Sequence, residues 1–90
     1  MSATLFVRHT VADYAAWRVV YDEVDTLRTS HGCTGQRVLL TPGDHNDVAA
    51  IHEFPTVEQA RAFSDDPALK EAMGRGGVTS PPRIEIFESA

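Results

Sequence analysis

Long apolar runs are missing from this chain, because polar or charged residues interrupt every hydrophobic segment before the roughly 18 to 20 residues needed to cross a bilayer. Membrane insertion through a helix is therefore not expected. Cysteine is nearly absent: the single Cys33 cannot form an internal disulfide. No charged n-region with an apolar h-region precedes the first strand-like segment, and both features fit a reducing cytoplasm. Basic residues are few, 8 Lys and Arg against 13 Asp and Glu, for a net charge of -5. That balance opposes the positive footprint that phosphate neutralisation requires, so nucleic acid is not an expected partner. Gly74-Arg75-Gly76-Gly77 has neither a strand before it nor Lys-Ser/Thr after it, so it is not a phosphate cradle. No histidine pair stands at i, i+4, and no HxH or CxxC occurs. Neither a metal nor a cofactor is expected.

Ninety residues allow one hydrophobic core, so residues 1–90 are read as a single domain. A chain of this size hides only about 60 to 65% of its extended surface on folding, which makes a partner chain a natural source of added stability.

Thr4 to Thr10 alternate Leu5, Val7 and His9 with Phe6, Arg8 and Thr10, the period of a strand. Asp13 offers an N-cap carboxylate, and Gly32 a left-handed C′ position, for one helix between them. At 100° per residue, Tyr14, Trp17, Val20, Tyr21, Val24, Leu27 and His31 share one arc of that helix. Arg37–Thr41 and Asp47–Phe54 read as a hairpin turning through Pro42 to Asn46. Thr56 and Gln59 form a capping box for a second helix, which Asp65-Asp66-Pro67 breaks and restarts. Arg83–Glu88 closes the order with a period-two strand.

The order βαββαβ predicts a ferredoxin-like α+β fold, an antiparallel sheet with both helices on one face. Apolar residues nevertheless occupy both faces of the strands: Leu5 and Val7 against Phe6, Leu39 against Val38 and Leu40, Ile51 against Val48 and Ala50. Two copies stacked through their bare sheet faces would bury the second set, which predicts a homodimer.

Asp13-Tyr14 with Trp17, Gly32 to Gly35, His52-Glu53-Phe54 and Thr56 to Ala60 together resemble the dimeric α+β barrel superfamily. The similarity is to its small branch related to antibiotic biosynthesis monooxygenases and aromatic polyketide cyclases, and it covers nearly the whole chain. It implies a barrel shared by two protomers, with a pocket in each between sheet and helices for a flat hydrophobic molecule. It further implies cofactor-free oxygenation of phenols or quinols, or ring closure of polyketides. Several oxygenase-like members carry histidine or an asparagine–tryptophan pair in the second helix, where this chain has Phe63-Ser64 and Asp65-Asp66-Pro67.

Histidine is the natural proton carrier near neutral pH. His45 falls in the hairpin turn, and His31 in the last helical turn, where it complements the helix dipole. His9 and His52 lie on the two strands expected at the sheet centre, and the register decides whether they share a face; the bland alternative is two satisfied, half-buried imidazoles. Cys33 reads as a loop thiol without an oriented base. Tyr14, Trp17 and Tyr21 are either plain core or a ligand wall, and their hydroxyls and indole N–H, which need partners when buried, suit a pocket. Phe63, Met73 and His52 would complete it, with Arg83 or Arg8 orienting an anionic or phenolate ligand unless they stay at an edge in solvent. The leading expectation is a homodimeric, cofactor-independent monooxygenase-like or cyclase-like enzyme for an aromatic or polyketide-like molecule, with His9 or His52 moving the proton. The alternative is a non-catalytic binding or dimerisation module. Metal-dependent lyase chemistry would require His9 and His52 to meet at one point with Glu53 or Glu85.

Overall fold

The computed structural model describes residues 2–90. Strand β1 (Ala3–Thr10) leads into helices α1 (Tyr14–Glu23) and α2 (Asp25–Ser30). The hairpin β2 (Gly35–Thr41) and β3 (Asp44–Phe54) follows, then α3 (Val57–Asp65), α4 (Pro67–Arg75) and β4 (Arg83–Glu88). The sheet order is β2-β3-β1-β4, and every neighbouring pair is antiparallel. This is the expected ferredoxin-like α+β arrangement.

Local chemistry sets the ends of the elements. Asp13 accepts a hydrogen bond from the Ala16 amide at the start of α1, and Thr56 from the Gln59 amide at the start of α3. Asp66 does the same for the Ala68 amide, with Pro67 in the first turn of α4, so the second helix breaks where the sequence predicts. Gly32, at φ +87°, ends α2 in the left-handed conformation that a side chain disfavours.

Strands β1 and β2 begin earlier than the sequence reading, at Ala3 and Gly35, and two further boundaries differ more. The first helix is divided at Val24, whose amide bonds both Val20 and Tyr21 carbonyls, so the winding tightens there to i→i−3. The hairpin turns on Pro42-Gly43 alone, with Gly43 at φ +84°, and a register shift at Leu40/Thr41 carries β3 back to Asp44. The residues expected in the turn, Pro42 to Asn46, are thus split between a tight turn and the first residues of a long strand.

Helix-facing residues of β1 and β3 form the core. Ala3, Leu5, Val7 and Phe54 pack with Ala60 and Phe63, and Val11 and Val48 pack with Trp17. Burying a leucine or phenylalanine this fully contributes about 1.5 to 3 kcal/mol. Among the described residues, no helix covers the opposite sheet face. There Phe6 pairs with Ile51, Leu39 with Ala49, and Phe87 lies on β4 at 54% exposure.

Candidate functional site

The cavity lies between α1–α2 and the sheet, closed at the far side by α3 and α4. The β1–β3 register places Leu5 opposite His52 and His9 opposite Val48, so both imidazoles point to the helix side. The Val7–Ala50 pair lies between them along the strands, so the two histidines sit at opposite ends of one cavity. Among the described residues, no three His, Cys, Asp or Glu side chains converge closely enough to hold a metal ion.

Trp17, Tyr21, Phe63 and Met73 line this cavity with His9 and His52. Trp17 stacks on Tyr21 at 4.8 Å between ring centroids and meets His9 edge-on at 5.7 Å. Phe63 lies 5.6 Å from His52. Tyr14 stands one turn away, beside Trp17 at 6.0 Å, and is outside the lining. Arg83 is an exposed β4 residue paired with Glu85, and Arg8 pairs with Asp47 on the helix-free sheet face. Neither arginine reaches the cavity. His31 bonds the Asp66 carboxylate at 2.8 Å, Cys33 donates to the Gly35 carbonyl, and His45 is exposed.

The arginine that does reach it is Arg28 of α2, which is 2% exposed. Its guanidinium stands 4.0 Å over the Tyr21 ring, a cation–π contact, and its terminal nitrogen is 3.5 Å from Asp25 at the surface. Its Nε has no partner. The sequence signal was present: Arg28 follows Tyr21 by seven positions and Val24 by four, which places it inside the apolar arc of the helix. Its charge sets it apart from the apolar residues that otherwise define that arc.

Tyr21 and His52 form a hydrogen-bonded pair, hydroxyl to Nε2, at 3.0 Å. Burial, reinforced by the Arg28 charge, pushes the His52 pKa down to about 4, while burial pushes the Tyr21 hydroxyl up to about 12. Both groups are therefore neutral at pH 7. The Leu5 backbone opposes part of that shift, and His52 Nδ1 has no hydrogen-bond partner. In the neutral ring with its proton on Nδ1, Nε2 accepts from the Tyr21 hydroxyl. Burial also lowers the pKa of His9, whose Nδ1 has no partner.

The cavity is half open and small, about 50 Å³, room for a few waters. Its lining side chains Leu69 and Met73 are also the wall of a second cleft of about 330 Å³ between α4 and β4, lined in addition by Ser64, Lys70, Gly74, Val78, Pro82 and Ile84. Only these two half-buried side chains belong to both spaces.

An antiparallel ferredoxin-like sheet with an aromatic, histidine-bearing cavity under its helices defines an α+β fold shared with antibiotic biosynthesis monooxygenase-like structures. SnoaB, a cofactor-independent oxygenase from Streptomyces nogalater, superposes with a TM-score of 0.80 at 15% identity, over 99% of this chain and 93% of that one. A Bordetella bronchiseptica protein provisionally named an antibiotic biosynthesis monooxygenase gives 0.82 at 13% identity, over 99% and 97%. NE2512 of Nitrosomonas europaea, a protein of unknown function, gives 0.75 at 22%, over 98% and 88%. No family model and no curated protein matches the sequence. Among the described residues, no helix is long and apolar enough to cross a membrane.

Proposed function

We propose that the chain is a homodimeric, cofactor-independent enzyme that removes a proton from an aromatic or polyketide-like substrate, as the opening step of an oxygenation or a ring closure. The observation that carries this reading is the Tyr21–His52 pair at the wall of an apolar cavity, with a buried guanidinium over the same tyrosine. A core selected for packing alone gains nothing from three buried polar groups with unpartnered nitrogens.

The proton path follows from the pair. The substrate's acidic proton passes to the Tyr21 oxygen as the Tyr21 proton passes to His52 Nε2, leaving an imidazolium and a substrate enolate or phenolate. The anion forms beside Arg28, whose charge stabilises it, and the new ion pair offsets the desolvation that otherwise keeps His52 neutral. Trp17 and Phe63 supply flat apolar walls, and His9 and Met73 close the ends. Rotation of Leu69 and Met73 would join the small cavity to the open cleft and give a ring system its entry path. The bare sheet face carrying Phe6, Ile51, Leu39 and Phe87 is where the second protomer would dock, and a reducing cytoplasm remains the proposed compartment.

The test is turnover of anthrone-type and enolisable polyketide-like substrates, with product mass and oxygen uptake followed under air and under nitrogen. Wild-type protein is expected to form product, and His52→Gln, checked for an unchanged melting profile, to lose on the order of 100-fold. Product formation unaffected by His52→Gln refutes the assignment. A second reading, a non-catalytic binding or dimerisation module, is favoured by the small size of the cavity, about 50 Å³. It predicts that His9→Ala or His52→Ala changes stability without altering affinity for any ligand.

A further inference from the structure

The cavity under α1 and α2 has one formal charge in its lining, the Arg28 guanidinium, and no acidic side chain among its lining residues. The two imidazoles and the Tyr21 hydroxyl are neutral at pH 7, and Val7, Val20, Val24, Ala50, Leu69, Ala72 and Met73 are apolar. Asp25, the one acid within reach of Arg28, is 3.5 Å away and more than half exposed, so water screens its charge from the buried end of the guanidinium. The partnerless Nε faces no carboxylate or carbonyl acceptor within hydrogen-bond distance. In a chain of net charge -5, whose other ion-paired arginines, Arg8, Arg18, Arg75 and Arg83, lie at or near the surface, a cation held inside an apolar cavity without a buried counter-ion is out of balance.

From this imbalance we infer that the cavity binds an organic monoanion, a planar carboxylate attached to a flat apolar body, with Arg28 as the residue that selects the charge. The inference rests on the cavity being a ligand site, and it narrows the substrate class from aromatic molecules in general to aromatic acids. A carboxylate is the complement of a guanidinium fork, which donates two parallel N–H groups in one plane. The small volume, about 50 Å³, suits a carboxylate and the atoms beside it. The ring then extends between Leu69 and Met73 toward the open cleft, where Val78, Pro82 and Ile84 offer apolar contact. Tyr21, stacked on Trp17 and in cation–π contact with the guanidinium, helps hold Arg28 in place.

Trp17 is the only tryptophan of the chain and lines the cavity, so its fluorescence reports occupancy directly. The probes are benzoate and benzamide, nearly equal in shape and different in charge, titrated against the full chain at pH 7 and low salt. Benzoate is expected to bind at least tenfold more tightly. Arg28→Met, similar in length and apolar, should bring benzoate down to the level of benzamide, and Arg28→Lys should keep part of the preference without the planar fork. Equal binding of the two probes, no benzoate binding, or a preference that survives Arg28→Met overturns the inference. Should Arg28→Met fail to fold, Arg28→Lys decides through a reduced benzoate preference. The His52→Gln variant separates this inference from the proposed activity. A benzoate preference retained there while turnover is lost supports both, and turnover with no benzoate preference in wild type overturns the anion site alone.

Discussion

Acidification is expected to destabilise this protein through His52. The residue is 3% exposed, and burial together with the Arg28 charge holds its folded pKa near 4, against 6.5 in an unfolded chain. Between those values the unfolded chain takes up a proton that the folded chain refuses. Stability is therefore full above about pH 6.5 and falls as pH drops toward 4. A difference of about 2.5 units corresponds to about 3 kcal/mol, a large share of the roughly 5 to 15 kcal/mol that holds a small domain together. His9, also depressed by burial, acts in the same direction. Urea unfolding of wild type and His52→Gln between pH 7 and pH 4 isolates the effect, because the carboxylates common to both cancel. Wild type should lose about 3 kcal/mol more than the variant over that interval. A His52 NMR titration midpoint near 6.5, or identical acid losses in the two proteins, would refute the burial argument.

Further outcomes follow from the same geometry. Tyr21→Phe removes the hydroxyl partner of His52 and should cost about 1 kcal/mol in urea unfolding, with a much larger fall in turnover than in stability. Phe63→Ala leaves a void among Phe54, His52 and Leu5 and should cost about 3 to 5 kcal/mol, read as a lower urea midpoint at an unchanged slope. Phe6→Glu combined with Ile51→Glu sets two charges opposite each other on the helix-free sheet face, and light scattering should then report half the wild-type mass with the fold retained. An unchanged mass would place the dimer contact elsewhere or remove it.

Much of this molecule is determined locally, and so was legible in its sequence. Period-two alternation in Thr4–Thr10 and Arg83–Glu88, caps at Asp13, Thr56 and Asp66, and Gly32 past the first helix each act within a few residues, where propensity and hydrogen-bonding chemistry suffice. The βαββαβ order then leaves few topologies, and the sheet order β2-β3-β1-β4 is one the order predicts. The site was only half legible. His9, His52, Trp17, Tyr21, Phe63 and Met73 all reach the cavity, because each stands on the inward period of its element. The relation between them was not legible: Leu5 opposite His52 is a long-range register, set by how two strands distant in sequence align, and it separates the two histidines rather than joining them. Arg28 and Arg83 make the same point from opposite sides. Charge alone gives both arginines the same claim on an anion, yet helix rotation packs Arg28 over Tyr21 inside the protein while strand alternation leaves Arg83 in solvent beside Glu85. Which cation is buried, which imidazole meets the phenol, and how much space remains between them depend on the packing of α1, α2 and α4 against the sheet, a sum of many weak contacts that no short window of sequence contains.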